Sequence, residues 1–318
     1  MNGKNTFDVL KFSPLAEGNI KLVHEMCEKN VKHVSKSLET FKRATLGSDL
    51  FEKGLSLVAY QGEKNIAAFF MVVLREPFVF KKKRKVAVLK FFVVDENWRY
   101  KGIGSNLLYK LMKKLRNHEK KCFKMKFEFG TSMPDYWFPG LDPRHTEAYF
   151  FLKKHGFKKK GERINLCIDL GAFSDKRPPS QLNDIKISRA TLEDKEELVP
   201  LKFIPKAYQL GFWPQETALS YKNDPISCFV AKNKKGRIFG FAAHSVHFPG
   251  SFGPTGVNGK LQGRGIGGLL LNWCLWDIKQ KGLLKAKIMW VVGDTVYFYL
   301  KTKGAHICEF FWPMHGRI

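Results

Sequence analysis

Two short glycine-rich segments have the residue types and spacing expected of a phosphate-binding turn. The segment 99–104 (RYKGIG) is repeated further along the chain at 262–267 (QGRGIG). Each copy follows an apolar run typical of a β-strand and precedes an amphipathic helical pattern. The start of a helix carries unpaired N–H groups and partial positive charge, and glycine lets a phosphate approach them. The turns therefore predict two pyrophosphate cradles, with added positive charge from Arg99, Lys101 and Arg264.

A second repeated segment indicates that the whole domain is duplicated. The stretch 149–156 (YFFLKKHG) matches 297–304 (YFYLKTKG), in the same order relative to the glycine turns. The polar stretch 174–180 contains a Pro pair, which cannot lie inside a helix or a central strand. We therefore predict an N-terminal domain over 1–173, a linker over 174–184 and a C-terminal domain over 185–318.

The hydrophobic pattern predicts an α/β architecture with a buried central sheet in each domain. Val- and Phe-rich runs predict strands, and apolar residues at helical spacing predict helices. The predicted strands are 56–60, 66–74, 86–94 and 123–129 in the first domain, and 227–231, 238–246, 255–257 and 287–292 in the second. The predicted helices are those starting at 104, 146, 267 and 295.

Composition is typical of a folded, cytoplasmic protein. Hydrophobic residues make up 44% of the 318 residues, and no apolar run has the length of a signal peptide or a membrane span. The six cysteines show no CxxC spacing, so we expect reduced thiols in apolar surroundings, without a disulfide framework or a metal centre.

The strong positive charge favours an anionic partner. Lys and Arg number 55 against 29 Asp and Glu, a formal net charge of +26. Such a field attracts a phosphorylated cofactor or nucleic acid. Nucleic acid is the less favoured of the two, because no helix-turn-helix, RNP or zinc-finger pattern is present. The basic run 81–85 (KKKRK) is interpreted as a hairpin tip in preference to a nuclear address.

On these turns the sequence resembles the GNAT superfamily of N-acetyltransferases, in its tandem two-domain bacterial form. Both match that family's R/Q-x-x-G-x-G/A motif, and 148–157 (AYFFLKKHGF) resembles its second cofactor-side helix. The resemblance implies a splayed mixed sheet (α+β) flanked by helices in each domain. It also implies acetyl-CoA, or another acyl-CoA, as cofactor. The implied cofactor-binding residues are Val93, Val94, Arg99, Lys101, Gly102, Ile103, Gly104, Ser105, Val257, Gln262, Arg264, Gly265, Ile266, Gly267 and Gly268.

The family's reaction is direct acyl transfer from the thioester to an amine, which needs a proton acceptor and an acid for the leaving thiolate. Many members place the acidic Tyr four residues before the Gly of the second helix, where this chain has Leu152 and Leu300. Tyr299, one residue earlier, is the predicted acid, whereas Tyr149 and Tyr297 are interpreted as core aromatics. Glu128 is the candidate base, with a solvent-exposed surface carboxylate as the equal alternative.

The first copy is longer between its repeated segments, and the additional residues form an acidic, aromatic loop. Asp135, Tyr136, Trp137 and Asp142 are candidates for binding a cationic amine. The alternative is a lid that packs on its own domain. In the second copy, His244 and His247 are candidate basic groups near the cleft, and their spacing does not favour a metal.

The sequence therefore predicts an N-acetyltransferase acting on a small-molecule or peptide amine. Three alternatives stay open: a non-catalytic acyl-CoA-binding module, a basic nucleic-acid-binding module, and an aminoacyl or long-chain acyl transferase. Both glycine turns are intact, so the motif alone does not assign the active half.

Overall fold

The computed structural model describes residues 10–76, 85–118, 125–204 and 212–317. It contains two compact units: the described residues up to Gly161 with those from Trp312 onward, and Glu162–Phe311. Lys81 to Arg84 of the basic run and Cys122 lie outside the described residues. Among the described residues, no helix is both long and apolar enough to cross a lipid bilayer.

The first unit is built on a seven-stranded mixed sheet with helices on both faces. Its strands are β1 (Lys11–Ser13), β2 (Ser56–Gln61), β3 (Asn65–Arg75), β4 (Val86–Val94), β5 (Lys126–Phe129), β6 (Lys158–Lys159) and, from the end of the chain, β15 (Met314–Arg317). They lie in the order β1-β2-β3-β4-β5-β15-β6. One face packs on α1 (Ile20–Asn30) and α2 (Leu38–Ala44), and the other on α3 (Ile103–His118) and α4 (Thr146–Lys154).

The second unit repeats this plan on an eight-stranded sheet. Its strands are β7 (Arg163–Asp169), β8 (Gln181–Leu182), β9 (Ile185–Arg189), β10 (Cys228–Asn233), β11 (Ile238–His244), β12 (Ser251–Val257), β13 (Lys285–Val291) and β14 (His306–Phe311). Their order is β14-β7-β13-β12-β11-β10-β9-β8. One face packs on α5 (Lys195–Leu198) and α6 (Trp213–Ser220), and the other on α7 (Ile266–Gln280) and α8 (Thr295–Leu300).

The mixed α/β fold with two splayed sheets is confirmed. Strand β3 is buried at every position after Asn65, as expected of a continuous apolar run covered on both faces. In α3, the stripe formed by Leu107, Leu108, Leu111 and Leu115 is fully buried against the sheet. The predicted strand at 255–257 is longer in the structure, beginning at Ser251.

The units divide the chain differently from the predicted boundaries. Strand β7, which lies inside the predicted N-terminal domain, pairs with β13 and β14 of the second sheet. Strand β15, predicted in the C-terminal domain, pairs with β5 and β6 of the first. The chain therefore enters the second unit before β7 and returns to the first unit for β15. Composition and turn residues locate a linker, but they do not show which sheet a strand joins.

The expectation of reduced thiols throughout is wrong at one pair. Cys167 on β7 and Cys308 on β14 form a disulfide, with Cα atoms 5.6 Å apart. Their separation of 141 residues gives no spacing signal, and strand pairing alone brings them together. Cys27, Cys228 and Cys274 are buried free thiols, as predicted.

Candidate functional site

Both glycine turns adopt the same left-handed backbone. Gly102 and Gly265 have φ values of 79° and 82°, a conformation that favours glycine because it has no Cβ. The first residue of each motif ties the turn to the preceding strand. Arg99 Nε donates to the Val94 carbonyl at 3.1 Å, and Gln262 Nε2 donates to the Val257 carbonyl at 3.2 Å. The Arg-or-Gln choice thus reflects a shared side-chain N–H donor, which holds the cradle in place.

The helix after each turn starts close to the second helix. A Cβ on Gly104 would lie 3.2 Å from the Phe151 ring of α4, and one on Gly267 would lie 3.4 Å from the Phe298 ring of α8. No side chain caps the start of α7, and neither α3 nor α7 has an acidic residue in its first turn. The helix starts therefore suit an anion, and a larger residue at either glycine would push the second helix away.

In each unit, two parallel strands separate as they approach the glycine turn. Strands β4 and β5 are paired from Ala87 to Leu89, and β4 then continues to Val94 paired only with β3. Strands β12 and β13 are paired only at Ser251 and Phe252. In each unit, the end of the separated strand therefore leads directly to the helix start that follows the glycine turn.

Tyr299 lies beside the point where β12 and β13 separate. Its ring contacts Phe252 edge-on, with centroids 6.0 Å apart. Burial raises the pKa of Tyr299, so the phenol is protonated at neutral pH, as an acid must be. At the matching position of α4, Phe151 stacks on Phe92 at 5.4 Å and has no hydroxyl.

The two remaining tyrosines of the repeated segment differ from each other. Tyr149 is half buried and packs on Trp312, with ring centroids 5.3 Å apart. Tyr297 is 67% exposed. The interpretation of Tyr297 as a core aromatic is therefore wrong: the short helix α8 buries none of its residues fully.

Glu128 is buried and already paired, so the solvent-exposed alternative is wrong. Arg75 Nη2 donates to Glu128 Oε2, which also accepts a 2.6 Å hydrogen bond from Thr131. His315 Nδ1 lies 3.9 Å from Oε1. Strand β15, donated from the end of the chain, covers this residue, a pairing that has no sequence signal. A carboxylate held by a guanidinium is poorly suited to accepting a proton.

The acidic aromatic loop packs onto its own unit. Trp137 lies in the α1 and α2 face of the core, with its ring 5.6 Å from Phe41 and 5.2 Å from Phe91. Tyr136 is also buried. Asp142 is buried and pairs with Arg144 at 2.6 Å; burial opposes ionisation of its carboxyl, but hydrogen bonds from Arg144 outweigh this and lower its pKa.

Asp135 of this loop has a partner that sequence reasoning missed. Its Oδ1 accepts a 2.7 Å hydrogen bond from Lys90 Nζ, and the Lys90 side chain is 0% exposed. Burial lowers the pKa of Lys90, and Asp135 opposes this. Lys90 follows Leu89, the last β4 residue paired with β5. The pair therefore occupies the separation point of the first unit.

A histidine also lies at the first cradle. His155, at the end of α4, is 3.0 Å through Nε2 from the hydroxyl of Ser105 in the first turn of α3. Burial, then the charge of Lys154, lowers the pKa of His155. Sequence reasoning placed Ser105 at the cradle, but it had no means of pairing it with His155.

The two histidines of the second unit have different partners. His244, fully buried on β11, lies 2.9 Å from Asp277 of α7, which also binds Arg189. His247 lies 3.0 Å from Glu216 of α6. No cluster of three or more His, Cys, Asp or Glu side chains suited to a metal occurs among the described residues.

One family model matches the chain in sequence. Residues 24–131 match the model of the Acetyltransferase (GNAT) family, and they cover β2, β3, β4, α3 and the first glycine turn. No curated protein sequence matches the chain.

Solved structures resemble the whole chain in fold. A fungal GCN5-related glucosamine N-acetyltransferase region of a multi-domain β-N-acetylglucosaminidase gives a TM-score of 0.76 at 18% identity, over 96% of this chain. The chain spans 38% of that longer protein. A GCN5-related N-acetyltransferase from Sphaerobacter thermophilus gives 0.67 at 16% identity, covering 98% of this chain and 96% of that one. A tandem GNAT protein from the clavulanic acid biosynthesis pathway gives 0.68 at 14% identity, covering 97% and 98%.

Proposed function

We propose that this chain is an acyl-CoA-dependent N-acyltransferase. Residues 24–131 match the GNAT family model, and the whole chain resembles tandem GNAT proteins in fold. It moves an acetyl group from acetyl-CoA to an amine by direct attack on the thioester. One observation carries the proposal: each glycine turn opens a helix at the end of a strand that has just separated from its parallel neighbour. This arrangement suits a ligand with a pyrophosphate at one end and an extended, amide-bearing arm.

The residues present fit such a cofactor. A side chain at Gly104 or Gly267 would press against the Phe ring of the second helix, so glycine lets the two helices pack closely beside the turn. The backbone amides of 101–105 and 264–268 would hold the pyrophosphate, and the ends of β4 and β12 would pair with the arm. Bound acetyl-CoA would supply the reactive thioester. The chain itself has to orient the thioester, exclude water and move two protons.

Two differences between the units favour the second as the site of transfer. In the first unit, the Lys90–Asp135 ion pair and Trp137 cover the α1 and α2 face at the separation point. That unit also has Phe151 where the second has Tyr299. Tyr299 has a phenol O–H that can give a proton to the leaving thiolate, and Phe151 has none; burial raises the pKa of Tyr299, so the phenol stays protonated at neutral pH. The first unit is then a cofactor-binding or supporting unit.

Calorimetry with acetyl-CoA tests the cradles. Gly102→Glu and Gly265→Glu each place a carboxylate where a phosphate is expected, so each should weaken binding in its own unit more than tenfold. Gly62→Glu and Gly236→Glu are matched controls, because these hairpin glycines also have positive φ and open surroundings but lie outside the turns. If all variants bind like the wild type, the cradle assignment is refuted for both turns.

Thiol release from acetyl-CoA over a panel of amines then tests transfer. If the protein binds acetyl-CoA but none of the amines causes thiol release, it is a binding module. Salt-sensitive binding to random DNA without acetyl-CoA binding would favour the nucleic-acid alternative. A preference for longer acyl-CoA would favour long-chain transfer.

A further inference from the structure

The buried Glu216–His247 pair of the second unit has no part in the activity proposed so far. His247 Nε2 lies 3.0 Å from Glu216 Oε1, and the two side chains are 3% and 5% exposed. They come from different elements: Glu216 from α6, and His247 from the connection between β11 and β12. A buried carboxylate that orients an imidazole is a common arrangement for a group that accepts a proton during catalysis.

The burial pattern of α6 is unusual for a helix packed on a sheet. Its fully buried residues are polar, namely Glu216, Thr217 and Ser220, whereas the equivalent helix α2 buries Phe41 and Ala44. Thr217 and Ser220 donate to backbone carbonyls of their own helix. Glu216 instead reaches another element. A carboxyl in this position is costly unless it is paired, and burial raises the pKa of Glu216 well above its ordinary value.

The pair lies next to the point where β12 and β13 separate. The backbone N–H of His247 donates to Ser251 Oγ at 3.2 Å, and that of Phe248 donates to the same oxygen at 3.4 Å. Ser251 is the first β12 residue paired with β13, and the pairing ends at Phe252. The hydroxyl of Ser251 therefore fixes the histidine loop within one strand pair of the separation point.

The pair and Tyr299 lie on opposite faces of the sheet. Val246, next to His247, belongs to the core on the α6 face, whereas Tyr299 and Phe252 pack in the core on the α7 face. The cofactor cradle lies at the start of α7. With the cofactor placed at the start of α7, we expect the amine to approach the thioester from the α6 face.

We propose that His247, oriented by Glu216, is the base that deprotonates the acceptor amine in the second unit. This inference rests on the proposed N-acyltransferase function. The amine nitrogen gives a proton to His247 and forms the new C–N bond. As the C–S bond breaks, the thiolate takes a proton from Tyr299, and the protons and electrons balance.

One ionisable group on a neighbouring strand lies close to the histidine loop and is already paired. Lys287 of β13 lies over the ring of Phe248, with Nζ 5.9 Å from the ring centroid, and pairs with Glu309 of β14 at 2.7 Å. The pH dependence of transfer is therefore expected to follow the Glu216–His247 pair. Activity should rise with pH as the pair loses its proton and becomes able to accept one.

The test compares two kinds of acceptor with acetyl-CoA. Alkyl amines are protonated at neutral pH and need a base, whereas hydroxylamine is already unprotonated. His247→Gln keeps a hydrogen-bond donor toward Glu216 but cannot take up a proton. We expect it to lose roughly 10²–10⁴-fold in kcat/KM with alkyl amines and at most a few-fold with hydroxylamine. The rising limb of the pH profile with alkyl amines should move to higher pH, where the amine itself loses its proton, and calorimetric binding of acetyl-CoA should be unchanged.

His306→Gln is the matched control, because His306 is exposed on β14, and it should behave as wild type. Glu216→Gln provides a second variant if His247→Gln does not fold, and it should show the same selectivity for hydroxylamine. An equal loss with both acceptors, or no loss, overturns the assignment of the base. If the wild type binds acetyl-CoA but transfers to neither acceptor, the proposed function fails and this inference with it.

Discussion

The buried Lys90–Asp135 ion pair gives a direct test of how the acidic loop is held. Asp135→Leu would leave the Lys90 ammonium in a site where its side chain is 0% exposed. Breaking a buried pair by removing one partner costs about 3–5 kcal/mol, and this is the expected loss in unfolding free energy of the first unit. Lys90→Met together with Asp135→Leu removes both charges and should recover most of that loss.

Hydrogen exchange read by mass spectrometry is the suitable assay, because it reports each unit separately. Peptides from β4 and from the loop around Trp137 should exchange faster in Asp135→Leu and near the wild-type rate in the double variant. Burial lowers the pKa of Lys90, so the uncompensated lysine can lose its proton. The loss of unfolding free energy in Asp135→Leu should therefore be full at low pH and shrink as pH rises.

The exposed pair Lys234–Asp184 is the matched control. It has the same 2.7 Å separation, but its side chains are 78% and 77% exposed. Asp184→Leu should cause no measurable change, because exposed pairs contribute little. If the double variant in the first unit is as unstable as Asp135→Leu alone, the loss comes from packing, and the argument from an uncompensated buried charge is refuted.

Two further predictions concern the second unit. Tyr299→Phe should lower kcat by roughly 10²-fold or more without changing acetyl-CoA affinity. The control Tyr297→Phe changes an exposed residue and should leave both quantities unchanged. Steady-state kinetics and calorimetry measure them, and equal kcat values for Tyr299→Phe and the wild type would remove Tyr299 from the mechanism. Asp277→Asn should cost about 3 kcal/mol of unfolding free energy, because it breaks the pairing with His244 and Arg189. Burial opposes ionisation of Asp277, but these partners outweigh it and lower its pKa. The loss of unfolding free energy in Asp277→Asn should therefore be full at neutral pH and shrink as pH falls below the ordinary carboxyl range. Urea unfolding at several pH values measures this loss.

Local features of the site could be predicted from sequence because their causes are local. The glycine turn requires a left-handed backbone at Gly102 and Gly265, and few other residues adopt it readily. The apolar stripe of α3 follows from helical periodicity. The repeated order of these segments is sufficient to predict two similar domains.

Long-range pairings could not be predicted in the same way. Asp135 lies 45 residues from Lys90, and Cys167 lies 141 residues from Cys308. Each pairing depends on which strands become neighbours. The placement of β7 and β15 adds to the problem, because β15 carries His315 to Glu128. Glu128, a candidate base with an exposed surface carboxylate as the equal alternative, is consequently a buried ion-pair partner.

The duplication itself explains why the turn alone did not assign the active half. Each glycine turn suits a phosphate, and both units keep one. Under the proposed function, the chemistry depends on what lies at the separation point beyond the turn, where the copies have diverged. The first unit has Lys90 there, buried and paired with Asp135, and Phe151, which has no hydroxyl. The second has Gly253 and Tyr299 at the matching positions, with a histidine–carboxylate pair on the opposite face. A Cβ on Gly253 would meet no other atom within 4 Å, so under the proposed function this position could accommodate part of an acceptor. Selection for transfer is then expected to act on these positions, and selection for cofactor binding on the two turns.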